Sequence, residues 1–157
     1  MSTEPLPMRP FSASLPMALL LAREATMRRF RPSLAEHGLT EQQWRVLRAL
    51  ASADQPIEVS ILAERTALLA PSVTRIVARL ADDDMIRRDG VASDARRSTL
   101  ALTTRGRHLV THIAPQSEAT YAEIEAAFGA NRLAALLDEL DDLTVVLDAV
   151  DNAREAS

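Results

Sequence analysis

The sequence predicts a mainly α-helical fold with one small β-wing, and three observations carry this prediction. Helical periodicity of the apolar residues extends over most of the 157-residue chain. A polar loop followed by an alternating strand occurs within Ser93–Gly106. Two short helices, Val59–Thr66 and Pro71–Asp84, directly precede that loop and are separated by four residues. Together these features indicate a winged helix-turn-helix with additional helices on either side.

The N-terminal part predicts two helices. Leu15–Glu36 carries an apolar stripe at helical spacing, which predicts the first helix. Thr40 followed three residues later by Gln43 forms a capping box, which predicts that a second helix starts there.

The C-terminal part predicts two long helices, over Thr104–Phe128 and 131–153. Gly129 is expected to end the first of them, and Asn131 to cap the second. Pro115 lies inside the first and is expected to kink or divide it. The last helix has a seam with alternating spacings of three and four, which fits packing within one chain or between two. The seam is formed by Leu133, Leu136, Leu140, Leu143, Leu147 and Val150.

The helix predicted from Pro71 has two distinct faces. Its apolar face is formed by Val73, Ile76, Val77 and Leu80, and must contact a core. The opposite face carries small, hydroxylated and basic side chains, which suit the major groove of DNA. We expect the DNA-binding residues of this face to be Ser72, Thr74, Arg75 and Arg79. Arg75 can bind guanine through two hydrogen bonds, and Arg79 can reach a phosphate.

The polar loop that follows places Asp94, Arg96 and Arg97 at the tip of a hairpin. Arginines on a protruding loop suit the narrow minor groove, where the negative potential is concentrated. This pattern predicts the wing of the winged module.

Charge is unevenly distributed along the chain, whose formal net charge is −4. Residues 1–64 are neutral, residues 65–107 carry a net charge of +4, and residues 108–157 carry −8. The positive charge thus coincides with the predicted DNA-reading module.

The chain resembles the MarR family of bacterial regulators. The resemblance rests on Asp94-Ala95-Arg96, on Leu100 to Gly106 (LALTTRG), on Leu39 to Leu47 (LTEQQWRVL) and on the PSVTR of the recognition helix. It covers nearly the whole chain. Ala70 departs from the basic or hydroxyl residue that many relatives have before this proline. Ser14-Leu15-Pro16, Arg23-Glu24-Ala25 and Glu36 to Thr40 look like the subgroup that regulates homoprotocatechuate-degradation operons.

The resemblance implies a homodimer, built from the first helix and the last two. We therefore expect residues 1–157 to be a single domain, with the winged module at about 41–102. The dimerisation helices are expected at about 14–37 and 104–153. The partner of this homodimer would be double-stranded DNA with a pseudo-palindromic sequence, which the two recognition helices would read in major grooves about 34 Å apart.

The first helix contains the best candidate for binding a small effector. Arg23 projects into its apolar stripe and therefore needs an anionic partner, from either the protein or a ligand. His37 projects onto the same face, and Trp44 begins the apolar face of the next helix. With Ser14, these residues are expected to bind a small aromatic acid. The alternative is structural: an ion pair for Arg23, helix-end positions for His37 and Ser14, and the core for Trp44.

Several other functions are excluded or disfavoured. The chain has no Cys, which rules out disulfides and cysteine redox sensing. His108 and His112 are one helical turn apart, but no third ligand follows, so we expect no metal. No phosphate loop or nucleophile elbow occurs, so we expect neither a cofactor nor catalytic residues. Lacking a membrane segment and a signal peptide, the protein is expected in the cytoplasm.

The sequence therefore predicts a MarR-type repressor of an aromatic-compound catabolism operon, which an aromatic acid releases from its operator. Two alternatives stay open. The same fold could respond to an acyl-CoA thioester or a metal, or a helical dimer could bind ligands or proteins without DNA.

Overall fold

The computed structural model describes residues 8–90 and 98–155. A short 3₁₀ turn at Phe11–Ala13 precedes the first helix. The remaining elements, in chain order, are α1 Leu15–Glu36, α2 Glu41–Ala51, β1 Ile57–Glu58, α3 Val59–Thr66, α4 Ala70–Asp82, β2 Ile86–Asp89, β3 Thr99–Leu102, α5 Thr104–Phe128 and α6 Ala130–Glu155. The mainly helical fold with a small β-wing is confirmed.

The chain forms two compact units, 1–116 and 117–157. The first unit contains α1 to α4, the sheet and the first part of α5. The second contains the end of α5 and all of α6. Each unit has its own internal packing.

A capping box fixes the start of α2, as the sequence predicted. The Thr40 hydroxyl accepts a hydrogen bond from the Gln43 amide at 3.2 Å, and the Gln43 side chain accepts one from the Thr40 amide at 2.9 Å. Two backbone donors that the helix itself leaves unpaired are thereby satisfied. This geometry sets the direction in which α2 enters the core.

The core of the first unit lies between α2, α3, α4 and the sheet. Its centre is made by aliphatic side chains that are almost fully buried, namely Val46, Leu47, Leu62, Val73, Val77, Leu80, Leu100 and Ile113. Leu34 of α1 and Trp44 of α2 belong to the same cluster. The apolar positions predicted for α4 thus face this core, with Ile76 partly buried beside it.

The sheet has three antiparallel strands in the order β1-β3-β2. The strand β3 pairs with both neighbours, placing Leu100 opposite Ile57 and Leu102 opposite Ile86. Leu100 and Leu102 are buried while Ala101 between them is partly exposed. The alternation that predicted a strand here therefore marks the side that packs on the core.

The strand β3 is joined to α5 by a junction that also fixes the turn after α4. The Thr103 hydroxyl donates a hydrogen bond to the Asp84 carbonyl at 2.6 Å and accepts one from the Gly106 amide at 3.0 Å. The Thr103 amide donates to the Met85 carbonyl at 3.1 Å. Gly106 lies so close to Met85 that a Cβ at this position would overlap the Met85 carbonyl oxygen. The Thr-x-x-Gly spacing thus seats the wing against α5.

Three local predictions need correction. The helix α4 occupies Ala70–Asp82 rather than 71–84, because Asp84 adopts a left-handed conformation with φ of 57°. Pro115 does not divide α5, which continues to Phe128. Asn131 is not a cap, because α6 already begins at Ala130. Gly129, with φ of 99°, alone makes the turn between these two helices.

Within the second unit, α6 has no buried residue. The predicted seam is partly or fully exposed, and Leu136, Leu147 and Val150 are among its most exposed members. The seam is therefore not covered by the residues of its own unit.

Among the described residues, none of the helices combines the length and apolar character needed to cross a bilayer.

We predict that Gly106→Ala destabilises the first unit. Alanine normally favours a helix over glycine, but here the added methyl group would displace the Met85 carbonyl. Overpacking of this kind costs about 1–3 kcal/mol in the free energy of unfolding, which urea denaturation monitored by circular dichroism would measure. Arg105→Ala, at the exposed neighbouring position, is the control and should change stability little. Equal stability of Gly106→Ala and wild type would refute this account of the junction.

Candidate functional site

The helix α4 separates a core face from an outer face. Val73, Val77 and Leu80 are buried, whereas Thr74, Arg75 and Arg79 are exposed and Ser72 is partly exposed. Residues 65–81 contain three arginines and no acidic residue. This combination gives an exposed helix face with positive charge, the requirement for contact with the edges and phosphates of DNA.

The four predicted residues of α4 differ in the contacts that their side chains already make within the protein. The Thr74 hydroxyl donates to the Ala70 carbonyl within the helix at 3.0 Å. Arg79 forms an ion pair with Asp83 at 3.0 Å, and both side chains are well exposed. An exposed pair of this kind is weak and can be exchanged for a phosphate contact. Arg75 lies on the exposed face between them.

The turn before α4 is held by a hydrogen bond from a side chain of α2 to its main chain. The Arg45 guanidinium of α2 donates to the Thr66 carbonyl at 2.9 Å. Ala67 then adopts a left-handed conformation with φ of 49°, and Leu68 packs against the core. The cap position of α4 is occupied by Leu69, which lacks a side chain able to cap and is 78% exposed.

The wing can be described only at its base. Asp94, Arg96 and Arg97 lie outside the described residues, so their contribution to DNA binding stays a prediction. At the base, Arg87 and Arg88 of β2 are exposed, and Arg87 pairs with Asp89 at 3.3 Å. These two arginines were not singled out from the sequence, although they belong to the same basic segment.

Arg23, the central candidate for effector binding, belongs to a network of four charges. Its guanidinium contacts the carboxylates of Glu24 at 2.8 Å and Glu41 at 2.6 Å. Arg31 contacts the same two carboxylates, at 2.8 Å and 3.1 Å. Each carboxylate therefore has two arginine partners. Glu41 opens α2 while the other three residues lie on α1, so the network joins these helices.

The network shifts the pKa values of Glu41 and Arg31. Hydrogen bonding from Arg23, reinforced by the charges of Arg23 and Arg31, holds the pKa of the Glu41 carboxyl below its ordinary value, although partial burial opposes this. The pKa of the Arg31 guanidinium is raised, chiefly by its hydrogen bond to Glu24. Glu41 is consequently charged at neutral pH.

Arg23 is less buried than its place in the apolar stripe suggested. Its side chain is 40% exposed, since nearby leucines of α1, including Leu19 and Leu20, are themselves exposed. The expected anionic partner is present, and it comes from the chain itself. Sequence reasoning missed Glu41 and Arg31 as members of this network, because the pairing depends on how α2 folds back onto α1.

The other three effector candidates lie at different places. Trp44 follows Glu41 by one helical turn and is 7% exposed, within the core. His37 caps the C-terminal end of α1, and its ring meets that of His112 edge to face with centroids 5.3 Å apart. It lies fourteen residues from Arg23, about 21 Å along the helix axis. Ser14 occupies the cap position of α1 without a capping hydrogen bond from its side chain.

Ser14 also lines an open pocket of about 730 Å³ at the N-terminal end of α1. The other lining residues are Met8, Arg9, Pro10, Phe11, Leu15 and Pro16. Within one chain, the structure thus brings together Arg23 and the start of α2, and leaves Ser14 and His37 apart from them. The effector roles of all four residues stay predictions.

The described residues contain no group of three or more His, Asp or Glu arranged to hold a metal ion. His112 contacts His37 rather than forming a ligand set with His108.

Comparison with known proteins places the chain among bacterial regulators. Residues 37–97 match the model of the MarR family. The chain is 38% identical to the homoprotocatechuate degradative operon repressor of Escherichia coli, over 90% of its own length and 93% of that protein. It is also 34% identical to the HTH-type transcriptional regulator FarR of Neisseria gonorrhoeae, over 94% of the chain and 100% of that protein.

Solved structures agree with this assignment. The structure of NadR in complex with 4-hydroxyphenylacetate is 34% identical, with a TM-score of 0.79, over 87% of this chain and 99% of NadR. The transcriptional regulator PA4135 is 42% identical, with the same TM-score, over 88% and 98%. These relatives are regulators rather than enzymes, as the sequence predicted. The chain belongs to the MarR family of transcriptional regulators.

Proposed function

We propose that the chain is a homodimeric repressor that binds a pseudo-palindromic operator of an aromatic-catabolism operon and is released by an aromatic acid. The DNA-binding part of this proposal rests on the two faces of α4. Its apolar side is anchored in the core, and its outer side presents Arg75 on a stretch without acidic residues. A recognition helix needs this combination of rigid support and exposed donors.

The dimer is supported by the exposed apolar seam of α6. The seam leaves Leu136, Leu147 and Val150 exposed and its other members partly exposed, and pairing with a second copy would cover this apolar surface. Two copies would present two α4 helices, which suits two half-sites about one turn of DNA apart. An operator read in this way is expected to be pseudo-palindromic, and the protein to work in the cytoplasm with its DNA.

The effector class follows from Arg23 and from the relatives. The Arg23 side chain is 40% exposed, so a new carboxylate can reach it. One relative is named as the repressor of homoprotocatechuate degradation, and the structure of another, NadR, contains 4-hydroxyphenylacetate. A ligand at Arg23 would lie at the start of α2, one helical turn from Trp44 of the core. We therefore propose an effector with a carboxylate and an aromatic ring.

Binding at Arg23 requires an exchange of partners. The effector carboxylate would replace Glu41 on Arg23, while Glu41 would keep its contact with Arg31 at 3.1 Å. No carboxylate is then left unpaired, which keeps the cost of the exchange low. Because Glu41 opens α2, the exchange loosens the connection between α1 and the DNA-reading helices. An effector acts only if it binds these two arrangements with different affinity.

We predict that Arg75→Ala weakens operator binding by about 1–3 kcal/mol per half-site and relaxes the preference at one base pair. The double substitution Arg96→Ala with Arg97→Ala should instead weaken binding to all sequences and flatten its salt dependence. Fluorescence anisotropy with a selected operator, at several salt concentrations, measures both effects, and the mass of the complex should correspond to two chains per duplex.

The matched control is Arg154→Ala, which removes a well exposed arginine at the end of α6 and should change neither affinity nor salt slope. DNA binding that ignores both salt and Arg75 would contradict the proposal. It would favour a helical module that binds other partners.

We predict opposite effects from the two ends of the Arg23–Glu41 pair. Arg23→Gln should weaken binding of an aromatic acid by about 1.5–3 kcal/mol, since it removes a charge-assisted contact. Glu41→Gln should strengthen it, because the ligand no longer competes with a charged carboxylate. Titration calorimetry with phenylacetic, benzoic and cinnamic acids, beside operator-release assays, measures these effects.

Glu64→Gln alters an exposed carboxylate of α3 and serves as the control for Glu41→Gln. Equal release by wild type and Arg23→Gln would exclude Arg23 as a ligand residue. If no aromatic acid binds, acyl-CoA thioesters and metal ions are the next ligands to test.

A further inference from the structure

Leu69 is the most exposed of the large apolar side chains in the described part of the chain, at 78%. Its position is nevertheless well defined. The Ala67 amide donates to the Glu64 carbonyl and the Leu68 amide to the Ala63 carbonyl, each at 3.1 Å. The Leu69 carbonyl accepts from the Ser72 amide at 2.9 Å. The side chain is thus held in solvent by an ordered turn.

This leucine contributes little to the stability of the first unit. It occupies the cap position of α4, where Ser, Thr, Asp or Asn would satisfy a backbone amide and Leu cannot. Its side chain is exposed in the folded chain as it is in the unfolded chain, so it gains no stabilisation from burial. Neighbouring Leu68, in contrast, is partly buried and packs against the core. An apolar side chain at position 69 therefore suits a contact outside the first unit.

The surroundings of Leu69 indicate what that contact is. Ala70 and Pro71 are exposed beside it, and the Thr74 hydroxyl is turned back to the Ala70 carbonyl. The tip of α4 therefore has an apolar surface. Arg65 and Arg75 are exposed in the same acid-free stretch, which complements the charge of a polyanion. A second protein copy would gain little from such a cationic rim against an identical surface.

We propose that Leu69 is a specificity-determining residue, which reads thymine by packing against its 5-methyl group in the major groove. This methyl is the apolar group that the major groove offers, and apolar side chains recognise thymine through it. The inference rests on the proposed function, since it requires α4 to lie in that groove. Leu69 would add a preference for thymine, which the arginines of α4 do not recognise.

The test is a thymine-to-uracil scan of an operator selected from random duplexes with the purified wild-type chain. Each thymine is replaced in turn by deoxyuridine, which removes only the methyl group and keeps base pairing. For wild type, we expect one position in each half-site where the replacement weakens binding about fourfold, the value of one buried methyl group. Leu69→Ala should bind both duplexes equally.

Two further variants separate recognition from structure. Leu69→Asn supplies a capping side chain, so it should unfold at the same or a higher temperature and still lose the discrimination. Leu69→Met keeps an apolar side chain and should retain it. A purely structural role for Leu69 would not produce this separation of stability from base preference.

The possible outcomes are distinct. If wild type binds the operator but no thymine position discriminates between wild type and Leu69→Asn, the inference is overturned. The same holds if Leu69→Asn changes the mass of the free protein, because Leu69 would then contact a second copy. If wild type binds no duplex at all, the proposed function itself has failed.

Discussion

The polar contact between α1 and α2 centres on a single carboxylate that two arginines share. Glu41 is bound by Arg23 at 2.6 Å and by Arg31 at 3.1 Å, and it is the first residue of the helix that enters the core of the DNA-reading module. A change in the partners of Glu41 is therefore transmitted to α2 and, through the core, to α4. The redundancy of the network permits such a change without leaving a charge unpaired.

The rest of the DNA-reading module is rigid, so we expect regulation to act at the contact between α1 and α2. The capping box holds the start of α2, Arg45 ties α2 to the end of α3, and Thr103 with Gly106 seats the wing base against α5. These contacts are short, satisfied and supported by a buried aliphatic core. The ion pairs of Arg23 are partly exposed, so Arg23 can exchange one carboxylate partner for another. The buried apolar contacts of the core cannot be exchanged in this way. Rigid α4 and a labile α1–α2 contact together fit a protein that reads DNA and responds to an anion.

Local signals in the sequence were sufficient for most of the fold. The Thr40–Gln43 capping box, the apolar face of α4 and the alternation of β3 each depend on residues a few positions apart, and each is confirmed. The partners of Arg23 could not be predicted in this way, because Glu41 lies eighteen residues away and meets it only after α2 folds back. Asn131 resembled a helix cap, but Gly129 already provides the turn and α6 starts one residue earlier. For α6, spacing alone could not distinguish a core helix from an exposed seam.

The most direct test of the account is the titration of Glu41 followed by carbon NMR of its side-chain carboxyl, with and without a bound aromatic acid. In the free protein, Arg23 holds the pKa of Glu41 below its ordinary value of 4.5, so this contact stabilises the fold above that pH and is lost as pH falls through the lowered value. When the effector replaces Glu41 on Arg23, the pKa of Glu41 should rise toward the ordinary value. A pKa of Glu41 that stays the same at saturating effector would contradict the exchange of partners on which the account depends.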